Sequence, residues 1–150
     1  MQVTIEIRQI DPRSELGMSL ISGSSEEQIK RYGRDGGRTV EGLAQDGVIF
    51  VAAMLDGEPA GCGAVVPIEP GVGELSRIFV TASARRRGVA LAIMRWIETA
   101  AKIRYARLIL ETGTAQMESV ALYETLGYLR VKCWGKSEHN PKSRCYEKIL

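Results

Sequence analysis

The fold is decided by residues 74–102, which read ELSRIFVTASARRRGVALAIMRWIETAAK. Apolar and aromatic residues over 74–80 predict a strand, and apolar residues spaced three or four apart over 88–102 predict a helix. A basic turn, Arg85-Arg86-Arg87-Gly88-Val89-Ala90, joins the two. A strand, a short turn and a helix in this order predict part of a mixed α/β layer fold with helices on both faces of one sheet.

The turn before this helix predicts a binding site for phosphate. The first N–H groups of a helix lack an intrahelical acceptor, and the helix dipole adds partial positive charge there. Gly88 and Ala90 carry little or no side chain, so a pyrophosphate can approach the backbone. The alternative is a solvated basic run, since neither G-x-x-x-x-G-K-[ST] nor a G-x-G-x-x-G after a strand is present, which disfavours kinase, ATPase and Rossmann functions.

A second helix is predicted over residues 114–126. Thr114 is a plausible N-cap, and Gly127 lies just past the helix end. A polar stripe follows one side of this helix at positions i, i+3 and i+7: Gln116, Ser119 and Tyr123. Such a stripe on an otherwise apolar helix indicates a lined cleft, although a tyrosine at the edge of a core can equally turn its hydroxyl to water.

The remaining pattern alternates strands with helices. Helical pieces are predicted over residues 14–43, interrupted by a glycine-rich loop at 33–37. The other predicted strands cover residues 3–7, 48–55, 60–67, 107–111, 128–133 and 143–149. Such an order indicates a sheet covered by helices on both faces.

Two of these segments resemble the GCN5-related N-acetyltransferase (GNAT) superfamily. Its coenzyme-A signature R/Q-x-x-G-x-G/A matches residues 85–90, and its L-Y-E-x-x-G-Y/F segment matches residues 122–128. Residues 110–113, Gln116 and residues 143–148 are similar to a bacterial subgroup whose substrates are poorly defined. The resemblance implies a mixed, mostly antiparallel sheet in which two central strands splay apart.

The resemblance also implies where acetyl-CoA, the co-substrate, binds. The pantetheine arm enters the gap between the splayed strands and pairs with backbone groups, as an added strand would. The residues implied in binding coenzyme A are Ile78, Phe79, Val80, Arg85, Arg86, Arg87, Gly88, Val89, Ala90, Gln116 and Ser119. Gln116 stands where many family members have Asn. No metal is implied.

Two proton transfers accompany attack of an amine on the thioester. A tyrosine with an ordinary pKa near 10 is protonated at pH 7, so Tyr123 is the candidate acid for the departing thiolate. Glu74 is the candidate base, on a strand face predicted to include Ser76 and Ile78. A gap of about six pKa units separates an ordinary Glu from a lysine-like amine, which leaves Glu111 or water as alternatives.

The function predicted from these residues is transfer of an acetyl group to a primary amine by direct attack in a ternary complex. The acceptor is a small-molecule amine or a protein N-terminus, and the resemblance places its pocket near Trp134 and residues 14–43. The alternative is a non-catalytic domain that binds coenzyme A or acyl-CoA in regulation. The resemblance also suggests a homodimer, for which the strand at 143–149 offers an edge.

Composition agrees with one domain over residues 1–150, large enough to bury a core. The net charge of +2 is too small to favour a nucleic-acid partner.

Cys62, Cys133 and Cys145 lack metal-ligand spacing, which favours reduced thiols in a cytoplasm over disulfides. His139, the single histidine, is predicted at the surface. Because residues 3–7 alternate apolar and polar side chains, we expect a strand and no apolar leader there, and we expect no membrane-spanning run.

Overall fold

A computed structural model describes residues 3–114 and 116–150. Its strands are β1 (Ile5–Gln9), β2 (Ile49–Leu55), β3 (Glu58–Glu69), β4 (Val72–Val80), β5 (Arg107–Gly113), β6 (Leu129–Val131) and β7 (Ser143–Ile149). Its helices are α1 (Glu15–Tyr32), α2 (Val40–Leu43), α3 (Val89–Ala101) and α4 (Met117–Thr125). Each predicted strand and helix is present, with ends shifted by a few residues.

Within the described residues the strands form one sheet of seven in the order β1-β2-β3-β4-β5-β7-β6. Strands β4 and β5 run parallel, and the other described pairs are antiparallel. The prediction of a mixed, mostly antiparallel sheet is confirmed. The prediction that residues 143–149 offer a free edge is wrong, because β7 pairs with β5 on one side and with β6 on the other.

The two central strands part in the middle of the sheet. β4 and β5 pair over three positions only, Val72 with Arg107, Gly73 with Leu108 and Glu74 with Ile109. Beyond that point β4 continues to Val80 and β5 to Gly113, with no ladder between them. A splayed central pair is therefore confirmed, and the backbone edge of each strand faces a gap.

Apolar side chains form a core on each face of the sheet. The helix α3 buries Val89, Ile93 and Ile97 against one face, in the larger cluster that also holds Tyr123 of α4. On the opposite face, Leu20 and Ile21 of α1 pack with apolar residues of β2 and β3. Helices therefore cover both faces, as predicted.

A bulge in β4 changes which side chains face each core. The register against β3 shifts between Cys62 and Ala64, and Arg77 adopts the left-handed φ of 55°. Leu75 and Ile78 consequently both contact the α3-side core, whereas Arg77 turns to α1. The expectation that Ile78 shares a face with Glu74 is wrong, because the extra residue breaks the alternation.

Two cysteines are joined rather than reduced. Cys133 follows β6, Cys145 lies in β7, and a disulfide links them across a Cα separation of 5.2 Å. The pairing of Val131 with Cys145 brings the ends of these strands together, a proximity that sequence spacing does not reveal. Cys62 is a free, buried thiol. The prediction of three reduced thiols is thus corrected.

Spacing in α3 predicts an exposed i,i+4 pair between Glu98 and Lys102. Instead, Glu98 accepts a hydrogen bond of 2.7 Å from the Tyr128 hydroxyl and one of 3.0 Å from Lys148 Nζ. The carboxylate points at the sheet, where a buried hydroxyl and an ammonium offer stronger partners than a solvated lysine. Glu98 thereby joins α3 to β7.

Candidate functional site

A cleft of about 790 Å³ opens where β4 and β5 part. Side chains from both strands line it, among them Glu74, Ile78 and Glu111. The loop after α1 forms one wall, and another is formed at the start of β7 by Asn140, Lys142 and Ser143. The cleft therefore lies where neither strand satisfies its backbone edge with the other, and an extended ligand can supply the missing partners.

Tyr123 of α4 stands in this cleft. Its ring is held by Tyr128, at 5.8 Å between ring centroids, and by Tyr146, at 6.4 Å. Burial raises the pKa of the Tyr123 hydroxyl above its ordinary value, because the phenolate is poorly solvated there. The group is accordingly a neutral hydrogen-bond donor at physiological pH, on a ring that its neighbours orient.

Glu74 lines the same cleft and is not free. Arg38, in the loop between α1 and α2, donates a hydrogen bond of 2.6 Å from Nη2 to Glu74 Oε1. The carboxylate is mostly covered, whereas the guanidinium is about a third exposed. An ammonium that approaches Glu74 therefore meets a carboxylate already shared with a cation.

Arg77 fastens the wall that carries Arg38. Its Nε donates to the Arg38 carbonyl at 3.0 Å and its Nη1 to Ser24 Oγ at 3.1 Å, while Nη2 pairs with Asp35 at 2.7 Å. The side chain is 3% exposed. With these bonds one buried guanidinium joins α1, the following loop and the bulge of β4.

The Asp35 carboxylate is tuned by the same contacts. Burial raises its pKa, but hydrogen bonds from Arg77, Ser25 and the Gly37 N–H outweigh that effect and lower it to about 2. Asp35 therefore stays ionised wherever the protein is folded near neutral pH. The Arg77–Asp35 ion pair therefore holds the loop after α1 and does not transfer protons in the reaction.

Glu111 enters the cleft from β5. Its Oε2 accepts hydrogen bonds from Ser137 Oγ at 2.6 Å and Ser143 Oγ at 2.8 Å. Both donors are neutral hydroxyls in or beside the loop after β6. Glu111 thus organises that wall through two neutral donors.

The basic turn forms a helix end, as predicted, but outside the cleft lining. Gly88 is the N-cap of α3 with a φ of 84°, and its carbonyl accepts from the Ala92 N–H at 3.1 Å. A Cβ at Gly88 would meet only Ile5 Cδ1, at 4.0 Å. The space over the first turn is open, and the N–H groups at Val89 and Ala90 begin the helix without an intrahelical acceptor.

The three arginines of the turn are not equivalent. Arg85 pairs with Glu27 of α1 at 2.8 Å and donates from Nε to the Val80 carbonyl at 3.3 Å. Arg86 and Arg87 are exposed, and Arg86 has a φ of 63°. Arg85 consequently ties α1 to the end of β4, while the other two side chains face solvent.

The helix α4 begins later than predicted. Its N-cap is Gln116, because the Thr114 N–H binds the Lys142 carbonyl at 2.9 Å and leaves Thr114 in the turn after β5. Gln116 lines the cleft and accepts from Thr112 Oγ1 at 2.7 Å, whereas Ser119 lies outside the lining. The predicted stripe thus brings Gln116 and Tyr123 to the cleft and leaves Ser119 beside it.

Comparison with known proteins agrees with this geometry. Residues 17–128 match the model of the acetyltransferase (GNAT) family. The chain belongs to that family. It is 34% identical over 110 residues to an IAA acetyltransferase of Azospirillum brasilense, covering 72% of each chain. It is 35% identical over 107 residues to the uncharacterized N-acetyltransferase YsnE of Bacillus subtilis, covering 69% of this chain and 71% of that protein.

Solved GNAT structures share the fold. An acetyltransferase of GNAT family from Staphylococcus aureus superposes with a TM-score of 0.80 at 17% identity, covering 98% of this chain and 99% of that one.

Within residues 3–114 and 116–150, no helix is long and apolar enough to cross a membrane. Over the same residues no group of three or more His, Cys, Asp or Glu could hold a metal ion.

The predicted residues of this GNAT protein fall into two sets. Glu74, Ile78, Gln116 and Tyr123 line the cleft, and Ser119 lies on α4 beside it. The others follow the β4 edge and the start of α3: Phe79, Val80, Arg85, Arg86, Arg87, Gly88, Val89 and Ala90. Sequence reasoning missed Arg38, Arg77 and Asp35. A charged residue inside the apolar run of β4 was the one signal for Arg77.

Proposed function

We propose that the protein is a single-domain N-acetyltransferase that moves an acetyl group from acetyl-CoA to a primary amine by direct attack in a ternary complex. The observation that carries this proposal is the position of Tyr123 in the gap between β4 and β5. A regulatory domain that only binds coenzyme A has no need of an oriented, protonated hydroxyl at that point.

The backbone supports binding of the co-substrate. The described β4–β5 ladder ends at Glu74, so the β4 edge over residues 78–80 can pair with the amides of a pantetheine arm once Arg85 releases the Val80 carbonyl. Beyond it, the first turn of α3 offers free N–H groups under open space at Gly88, suited to a pyrophosphate. Arg86 and Arg87 add exposed positive charge beside it.

The cleft residues account for the proton transfers. Glu74 takes a proton from the ammonium, and the resulting amine forms its C–N bond to the thioester carbon. Tyr123 gives its proton to sulfur as the C–S bond breaks, and the proton that the new amide nitrogen loses returns to Tyr123 through water. Arg38 competes with the ammonium for Glu74, so the acceptor must share or displace that contact. Glu111 and water are the alternative bases.

An amine panel incubated with acetyl-CoA tests the proposal. Thiol release together with the mass of the acetylated amine is the readout, because thiol release alone also reports hydrolysis. We expect one class of amine to be acetylated by the wild-type protein. Tight binding of coenzyme A without acetylation of any small amine or peptide N-terminus would favour the regulatory alternative.

Two further expectations stay predictions. The cytoplasm is the expected compartment, although disulfides such as Cys133–Cys145 are rare there. Pairing of two copies is expected through a surface other than β7, since that strand is interior. Sedimentation at micromolar concentration tests the pairing, and a single species near the chain mass of 16.5 kDa would contradict it.

A further inference from the structure

The acceptor side of the cleft carries more positive charge than its carboxylates neutralise. Glu74 is paired with Arg38, Arg77 with Asp35, and Arg31 with Glu27. Two further cations line the cleft: Arg34 in the loop after α1 and Lys142 before β7. Neither forms an ion pair among residues 3–114 and 116–150. The one further carboxylate of the lining, Glu111, is bound by the Ser137 and Ser143 hydroxyls, so the cleft keeps an excess of one positive charge.

Arg34 and Lys142 approach the cleft from two different walls. Both are exposed, which ordinarily means nothing more than solvation. Here, however, both line the one cleft that also holds Glu74 and Tyr123. An acceptor seated between those two groups therefore lies in a cleft with an excess of one positive charge, which disfavours a simple monoamine because it is itself a cation at neutral pH.

We infer that the acceptor is an amine that also carries an anionic group, a carboxylate or a phosphate, bound by Arg34 and Lys142 while its ammonium faces Glu74. This inference rests on the proposed function. An anion of either kind suits the fork of an arginine and the point charge of a lysine. It also competes with Glu74 for Arg38, whose side chain is about a third exposed and whose carbonyl is bound by Arg77. The anion thereby frees the Glu74 carboxylate for the ammonium.

Matched pairs of acceptors test this inference. One arm compares β-alanine with propylamine and alanine with alaninamide, and the other compares phosphoethanolamine with ethanolamine. We expect the anionic member of at least one pair to have a kcat/KM about ten- to a hundredfold higher, through KM more than kcat. The arm that shows the preference identifies the anion as carboxylate or phosphate.

Two variants assign the preference to these side chains. Arg34→Gln and Lys142→Gln should each reduce the ratio of anionic to neutral acceptor about three- to tenfold, without loss of folding because both residues are exposed. Lys136→Gln, in the same loop as Lys142 but outside the cleft lining, should leave the ratio unchanged.

Each failure has a separate meaning. Equal or better use of the neutral acceptors, or variants that retain the full preference, would overturn the inference and leave the acetyltransferase function standing. Acetylation of no amine at all would overturn both.

Discussion

The two sides of the cleft offer a ligand different kinds of chemical group. On the cofactor side, proposed to bind coenzyme A, the groups that a ligand meets are backbone amides of β4 at the gap and of the first turn of α3 outside the cleft lining. On the acceptor side, they are charged side chains held by ion pairs, Arg77 with Asp35 and Arg38 with Glu74. A ligand on the first side contacts backbone groups, which remain whatever the side chains are. A ligand on the second side contacts side chains, which substitution can change.

This difference gives the two sides different expected roles in recognition. Backbone groups recognise a constant partner whatever side chains surround them, so long as small residues leave access. Ion-paired side chains determine selectivity among acceptors, because changing one of their charges changes which ammonium or anion the pocket can bind. Substitutions on the two sides should therefore separate into effects on coenzyme A and effects on the acceptor.

The largest expected effect is on the cofactor side. Gly88→Glu should weaken coenzyme A binding more than about a hundredfold, because it adds negative charge under the pyrophosphate and forces a side chain onto a φ of 84°. Calorimetry with coenzyme A measures it. Unchanged affinity in a folded variant would contradict the placement of the pyrophosphate.

Gly57→Glu is the matched control for Gly88→Glu. Gly57 has a φ of 83° and open space around it, but it lies in the turn between β2 and β3. It bears the same backbone strain, about 1–2 kcal/mol for a side chain in this conformation. Its affinity for coenzyme A should equal that of the wild type.

Tyr123 stands between the two sides and should affect neither affinity. Tyr123→Phe removes only the hydroxyl, so the ring keeps its contacts with Tyr128 and Tyr146. We expect kcat to fall about ten- to a thousandfold, the usual cost of losing a general acid, with binding of acetyl-CoA little changed. A fall of less than twofold, with chemistry rate-limiting, would make Tyr123 structural.

On the acceptor side, Arg77→Met should raise the KM of the acceptor and lower stability by about 2–4 kcal/mol, because it leaves Asp35 unpaired and releases the loop. Coenzyme A affinity should not change. Arg8→Met is the control, since its pair with Glu6 is exposed and worth less than about 1 kcal/mol. Equal stability of the two variants would show that Arg77 does not fasten this wall.

The smallest expected effect depends on pH. Because the folded pKa of Asp35 is about 2, below its ordinary 3.8, its ionised form stabilises the fold by about 1–2 kcal/mol after solvent screening. That contribution is complete above pH ~5 and disappears as pH falls toward 2. Urea unfolding at several pH values should show Asp35→Asn less stable than wild type at pH 7, with the difference shrinking in acid.

Asp46→Asn is the control for this pH series, because Asp46 is exposed. Its stability difference from wild type should be small at every pH. A difference for Asp35→Asn that stays constant down to pH 2.5 would contradict the pairing with Arg77.

The cofactor side was largely predictable from sequence, because local patterns encode it. Apolar spacing places α3, alternation places β4, and Gly88 marks a helix end that needs a left-handed φ. The parting of β4 and β5 came from the family resemblance. Residue spacing alone does not reveal it.

The acceptor side was not predictable, because it depends on contacts between distant segments. Arg77 and Asp35 are 42 residues apart and meet only after the β4 bulge turns Arg77 to α1. Strict alternation, by contrast, put Ile78 on the wrong face. The disulfide was missed for the same reason, since Cys133 and Cys145 become neighbours only when β6 pairs with β7.

The disulfide also makes a closed ring of residues 133–145. This ring contains the wall that supplies Asn140, Lys142 and Ser143 to the cleft. A loop whose ends are covalently joined adds little further closure entropy when residues are inserted, since that cost grows only with the logarithm of length. The loop between Cys133 and Cys145 can therefore be lengthened or replaced while β6 stays in register. This makes it a suitable segment in which to engineer a new acceptor preference.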